Sequence, residues 1–338
     1  MAWKVTTSIW LGLALLLVGL ALLSLNSGYI SISPAEVWQT MIGQGTRKQQ
    51  TVLFFFRGPR IVIAMLVGMG LAVAGGILQG ITRNGLADPG ILGINAGAGV
   101  GVMALLLFQP MSDTQVFSAS GAVLSLPFAA LAGGMAAAAL VYLLARKDGV
   151  VSRTGLVLTG VAVASGLAAL MLVLALAMHQ RLYDYAVTWL AGTIDSAGWD
   201  SVLALLPWLA VLLPLAFWRS HALNLLGLGD AVATGIGLNV ERERLALLAV
   251  AVALASACVA VGGGIGFVGL MGPHIARRLI GPDHRALLPA AALIGASLMV
   301  AADMVSRTII PEIEIPVGVV VSALGAPYFI YLLARGTK

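Results

Sequence analysis

Apolar runs of about twenty residues recur along the whole chain, and this repetition limits the fold more tightly than any other feature. A helix needs about 20 mostly apolar residues to cross the hydrocarbon core of a bilayer. Such runs fall at 8–25, 61–79, 91–108, 123–144, 156–178, 202–218, 245–262, 265–279, 287–304 and 317–333. The first is too long and too evenly apolar for a secretory leader, and no small-residue cleavage site follows it. The run 265–279 is short and glycine-rich. Composition excludes the competing classes. Hydrophobic residues make up 60% of the 338 residues and charged residues only 10%, whereas a soluble domain carries about 25% charged residues. The same figures exclude disorder, and a transmembrane barrel would alternate polar and apolar residues along each strand. The reading is an all-α polytopic membrane protein of about ten transmembrane helices, forming a single transmembrane domain over residues 1–338.

Charge placement sets the expected orientation. With ten spans and the N-terminus in the cytoplasm, 13 of the 19 Lys and Arg residues fall inside, including Lys4, Arg83, Arg153, Arg244, Arg277 and Arg278. Positive-inside bias therefore favours cytoplasmic N- and C-termini. The net charge of +5 does not point to nucleic acid, because the basic residues lie in short flanks between apolar runs. Cys258 is the single cysteine, so no disulfide framework exists within the chain, and it reads as a small packing residue.

Two extramembrane stretches carry local structure. Outside, Ser33-Pro34-Ala35-Glu36 combines a capping box with proline at the first helical position. Val37, Trp38, Met41 and Ile42 then share one face, so 33–44 reads as a short interfacial helix. Inside, 221–244 is the longest polar excursion facing the cytoplasm, and it reads as two short helices broken at glycines. It holds Leu225, Leu226, Leu228, Ile236 and Leu238, which water would not tolerate uncovered. Asp230 is expected to accept backbone N–H groups at the start of the second of these helices.

Chemistry of other kinds is absent from the pattern. No G-x-x-x-x-G-K-[ST] phosphate loop occurs. The four histidines have no metal-ligand spacing, no catalytic constellation stands out, and neither cofactor nor metal is expected. The acids, Asp88 among them, lie in loops or at helix ends, where an ion-coupled carrier would keep one near the midplane. A conduit energised from outside the chain fits better than a secondary transporter. The frequent glycines imply close helix–helix packing.

Specific motifs sharpen this class. They are Phe56-Arg57-Gly58-Pro59-Arg60 leading to Gly68 and Gly75, the run Gln79 to Gly93, the stretch 225–238, the run Gly266 to Arg277 followed by Gly281 to Arg285, and Glu314 to Gly318 with Gly325-Ala326-Pro327. In this order and over nearly the whole chain, they resemble the FecCD family, permease subunits of bacterial ABC importers for iron–siderophores, haem and cobalamin. Two departures are visible: Gly85 stands where the family usually has proline, and Met271-Gly272 replaces a more apolar pair.

The resemblance implies a type II ABC-importer permease in the bacterial cytoplasmic membrane, paired with a second permease subunit that is the same or a homologous chain. It also implies two ATP-binding subunits beneath and an extracytoplasmic substrate-binding protein above. Arg57, Arg60 and Arg307 correspond to the arginines that dock the binding protein; anchoring at lipid headgroups is the competing reading. Gly227, Asp230, Ala231, Gly235 and Gly237 fall in the element that couples to the ATPases, against a solvated linker. Asn84 and Leu86, with Arg153 and Thr154, match the inner gate, although Asn84 reads equally well as a helix cap, common in Asn-Gly turns. His274 reads as a packed or capping residue. An iron–siderophore is the expected cargo, with cobalamin or haem as alternatives; a secondary transporter and an inert membrane scaffold are the alternatives in class.

Overall fold

In lipid only a helix satisfies every backbone polar group within its own segment, so the apolar runs must fold as helices or be covered by protein. The computed structural model of the protein describes residues 2–28, 32–90, 92–108, 120–147, 150–151, 153–195, 197–310 and 314–334. Helix α1 (Ala2–Asn26) is followed by the short helix α2 (Pro34–Met41). Helix α3 (Arg47–Gln50) passes through a π-helical stretch (Thr51–Arg57) into α4 (Gly58–Thr82). Next come α5 (Ile94–Phe108) and α6 (Ser120–Ala145), then a two-stranded ladder of β1 (Arg146–Lys147) and β2 (Val150–Val151). Helix α7 (Arg153–Leu176), α8 (Gln180–Leu190) and α9 (Trp199–Trp218) lead to the short pair α10 (Ser220–Gly227) and α11 (Asp230–Gly235). The chain closes with α12 (Val240–Gly262), α13 (Val268–Ile280), α14 (His284–Ser306) and α15 (Val317–Ala334).

Among the described residues, eight helical runs are long and apolar enough to cross a membrane. The remaining two of the ten expected spans appear as the shorter α5 and α13. Backbone chemistry explains α13. Gly263 and Phe267 adopt positive φ, 71° and 64°, and so the chain cannot stay helical between α12 and α13. The interrupted backbone is not abandoned to lipid: the Gly264 N–H donates to the Trp189 carbonyl at 3.1 Å, as irregular backbone at membrane depth requires.

Helix α4 is the centre of the bundle, in contact with α9, α12, α13 and α14. Glycine makes these contacts possible. A Cβ on Gly68 would lie 2.2 Å from the Gly295 carbonyl oxygen of α14, and one on Gly75 only 1.8 Å from that of Gly269 on α13. Helices α5 and α6 approach in the same way through Gly97 and Gly133. Small-residue packing is thus realised as the sequence implied. Cys258 is fully buried, its sulfur facing Gly70. By contrast, α1 and α7 expose Leu15, Leu22, Leu158 and Leu172 on faces suited to lipid.

The outer capping box forms as expected: the Ser33 N–H donates to the Glu36 carboxylate at 2.8 Å and the Glu36 N–H to Ser33 Oγ at 3.3 Å. The donated Ser33 N–H holds the Glu36 carboxyl below its usual pKa. Asp88 lies in a loop, as expected, but that loop folds back along α4, and Asp88 Oδ1 lies 2.6 Å from where a Cβ on Gly269 would stand. Gly269 packs on Gly75, seven residues or about two turns before the end of α4.

Candidate functional site

At the end of the bundle where α4 begins, the fold gathers the three singled-out arginines into one network. Arg57 ends the π-helical stretch, Arg60 sits in the first turn of α4, and Arg307 caps α14. Arg60 Nε donates to Asp303 Oδ1 at 2.6 Å and Arg60 Nη1 to Glu314 Oε2 at 2.7 Å. Arg307 Nη2 lies 3.0 Å from Asp303 Oδ2 and donates to Ser24 Oγ at 2.6 Å. Arg57 Nη1 donates to the Leu25 carbonyl at 2.5 Å. The network therefore ties α1, α4 and α14 together. Arg57 and Arg60 are only 5% and 8% exposed, and Asp303 is fully enclosed. The half-exposed member is Glu314, at 50%. Buried charge is costly unless paired and hydrogen-bonded, and here each arginine has a partner. Asp303 escaped sequence reasoning, although its i,i+4 spacing to Arg307 was a usable signal.

Near the other end of α4, α10 and α11 form the expected pair of short helices. Gly229, at φ 116°, makes the break between them. Gly227 closes α10, while Asp230, Ala231 and Gly235 lie in α11 and Gly237 follows at φ 90°. A Cβ at Gly227, Gly235 or Gly237 would meet open space. The exposed apolar set differs from expectation. Leu228, Val232 and Ile236 are exposed, but Leu226 is buried, because α10 lays that face on α4 and α14. Asp230 also departs from its expected role. Gly229 occupies the N-cap position, and the Asp230 carboxylate instead pairs with Arg244 at 3.0 Å and Arg83 at 3.7 Å.

Helix α10 is fastened to α14 through an unanticipated link. Asn224 Nδ2 donates to Asp283 Oδ1 at 2.6 Å, and the His284 N–H donates to Asn224 Oδ1 at 2.9 Å. Asp283 caps α14 by accepting the Arg285 N–H at 3.0 Å. That bond, helped by Asn224, holds its carboxyl below the ordinary range.

The four residues expected at the inner gate fall in two places. Asn84 makes a tight turn, its Oδ1 accepting the Leu86 N–H at 3.0 Å; it closes that turn and does not cap α4, whose C-cap is Arg83. Leu86 packs against a cluster of Leu270, Met271 and Leu332 from α13 and α15. Arg153 and Thr154 open α7; their side chains lie outside the described residues. His274 packs edge-to-face on Tyr328, with ring centroids 5.7 Å apart. Among the described residues, no group of three or more His, Cys, Asp or Glu side chains could hold a metal.

A bundle crossing the membrane many times, with small-residue seams inside and a two-helix apolar projection on one side, is the architecture of a transport permease. Residues 15–335 match the FecCD transport family, and the chain belongs to it. It is 47% identical over 323 residues to the iron(3+)-hydroxamate import system permease protein FhuG of Bacillus subtilis (strain 168), covering 95% of each chain. It is 40% identical over 334 residues to the Fe(3+) dicitrate transport system permease protein FecD of Escherichia coli (strain K12), covering 98% and 99%. A solved structure described as a metal-chelate type ABC transporter in an inward-facing conformation superposes with a TM-score of 0.84 at 31% identity, covering 98% of this chain and all of the other. PsaBC from Streptococcus pneumoniae, at TM-score 0.57 and 17% identity, shares the fold. The protein is thus an integral membrane permease of the ABC-importer type, a transport subunit and not a catalytic one.

Proposed function

We propose that this chain forms part of the membrane pathway for an iron chelate of siderophore type, in the bacterial cytoplasmic membrane, with ATP hydrolysed on partner subunits. The observation that carries the reading is the 47% identity to an iron-hydroxamate permease over 95% of both chains. In this reading both termini lie in the cytoplasm and the chain crosses ten times, with α5 and α13 as the short crossings. A second permease completes the pathway, two ATPases bind beneath, and a substrate-binding protein delivers the chelate from outside.

Each site then has a task. The outer cluster sets three guanidiniums (Arg57, Arg60, Arg307) against two carboxylates (Asp303, Glu314), a surplus of one positive charge. That surplus would steer an acidic lobe of the binding protein. On the inner side, Leu228, Val232 and Ile236 are apolar and exposed where a soluble partner can cover them. Burying one such side chain is worth about 1.5–3 kcal/mol, so this patch, turned by Gly227, Asp230, Ala231, Gly235 and Gly237, is the docking element for the ATPase. Asn84 and Leu86, together with Arg153 and Thr154 at the start of α7, narrow the inner exit.

The test is uptake into proteoliposomes that hold the chain, its permease partner, ATPase and binding protein, with ferric hydroxamate, haem and cobalamin compared. ATP-dependent accumulation selective for the hydroxamate is expected. Preference for haem or cobalamin would overturn the cargo, and gradient-driven uptake by the chain alone would overturn the class.

A further inference from the structure

The side chain of Arg83 joins the α10–α11 hinge to the loop after α4. Helix α4 ends at Thr82, and Arg83 takes up a left-handed conformation, φ 53° and ψ 32°. That conformation is uncommon for a residue with a Cβ, and it aims the guanidinium across the cytoplasmic face. There it touches all three parts of the hinge. It donates to the Leu226 carbonyl in the last turn of α10. It rests 3.9 Å from where a Cβ on Gly229 would stand. It lies 3.7 Å from Asp230 Oδ1 at the start of α11. Both attractions are electrostatic: the carbonyls at a helix C-terminus carry partial negative charge that favours a cation, and Asp230 supplies a full negative charge.

On its other side Arg83 is covalently joined to Asn84, whose turn places Leu86 against Leu270, Met271 and Leu332. The remaining carboxylate oxygen of Asp230 is held by Arg244 of α12 at 3.0 Å, which anchors α11 to a long helix while Arg83 links it to the loop. Leu228, Val232 and Ile236, the exposed apolar residues, flank this same hinge.

We propose that Arg83 is a positioning residue that carries movement of the α10–α11 hinge into the Asn84–Leu86 turn, so that a partner docked on the hinge moves the inner exit. The proposal rests on the reading that α10 and α11 dock the ATPase. Tilting α11 pulls Asp230 and the Leu226 carbonyl with it; the guanidinium follows, and the turn two residues on shifts Leu86 against α13 and α15.

The experiment uses the complete reconstituted transporter and three variants. Ile236→Arg tests the docking reading and should lose the co-purifying ATPase. Arg83→Met keeps the apolar length of the side chain but drops both contacts. It should keep the ATPase bound and hydrolysing, with transport per ATP reduced about tenfold. Arg83→Lys, which holds one partner at a time, should fall between it and wild type. A cysteine introduced as Leu86→Cys gives a second readout, since the native Cys258 is fully buried and does not compete for a thiol reagent. Its labelling rate should change on ATP addition with Arg83 present and stay constant in Arg83→Met. If Ile236→Arg retains the ATPase, the docking reading fails. If Ile236→Arg loses it while Arg83→Met keeps wild-type transport per ATP and ATP-dependent labelling, the role of Arg83 fails. Should Arg83→Met not accumulate in membranes, Arg83→Lys decides by the same two readouts.

Discussion

Replacing Asp303 with alanine exposes what the outer network contributes. Asp303 is fully enclosed between Arg60 at 2.6 Å and Arg307 at 3.0 Å, and those side chains are 9% and 6% exposed. Asp303→Ala leaves two buried guanidiniums facing each other across the space of a lost carboxylate. Removing one member of a buried ion pair costs about 3–5 kcal/mol. Glu314 still holds Arg60, and Ser24 and the Ser27 carbonyl still hold Arg307, so the lower end, about 3 kcal/mol, is expected. At about 2 °C per kcal/mol for a chain of this size, the melting temperature of the detergent-solubilised protein should fall by about 6 °C. The triple replacement Asp303→Leu, Arg60→Met, Arg307→Met removes the three buried charges, leaves the half-exposed Glu314 to water and should recover most of the loss, because well-packed apolar groups substitute for buried pairs at little cost. A melting temperature for Asp303→Ala equal to wild type would refute the reasoning, since the guanidiniums would then be solvated some other way.

Other outcomes follow from local geometry. Gly75→Val pushes a side chain into the Gly269 carbonyl, where a Cβ alone would stand at 1.8 Å; a loss of about 3 kcal/mol or more should appear as lower folded yield and earlier melting. Gly85 has no neighbour within 4 Å of a Cβ and is not among the positive-φ residues, so Gly85→Ala should stabilise by about 0.4–1 kcal/mol in the same melts. The Asp283 carboxyl is held below its usual 3.8. The stability it supplies is therefore present above that value and lost as pH falls through its lowered pKa. Asp283→Ala should flatten the acid limb of a stability–pH curve. Trp199 Nε1 donates to the Phe54 carbonyl at 2.8 Å; Trp199→Phe should cost about 1 kcal/mol, read by faster hydrogen exchange at the N-terminus of α9.

Hydropathy made most of the bundle legible because lipid and protein interior demand the same thing of a helix. The expected span 61–79 lies within α4 and 317–333 within α15, and the Ser33–Glu36 box formed as written. What escaped reading depends on backbone conformation or on contacts distant in sequence. Nothing in the run 265–279 announced that Phe267 would adopt a left-handed conformation and shorten it to α13. The amphipathic α8 was hidden by its polarity, since Gln180, Arg181 and Asp184 resemble loop residues. At the sites, motif order located Arg57, Arg60 and Arg307, but not Asp303, which joins α14 to residues 243 positions away. Leu226 looked exposed because its burial depends on how α10 lies against the bundle, which periodicity over eight residues does not specify.

The continuous rod that α3, the π-helical stretch and α4 make together, Arg47–Thr82, has a consequence for how the protein is born. It is as apolar as the lipid-facing α1, yet most of its α4 part ends up enclosed by protein. During synthesis it enters the bilayer before α9, α12, α13 and α14 exist to cover it. For that interval its glycines face acyl chains, and its apolar surface is what keeps it inserted. Each later helix then displaces lipid from one groove of the rod as it arrives. The rod's hydrophobicity is therefore a requirement of assembly order, and polar substitutions that the finished bundle could bury would be selected against at the translocon.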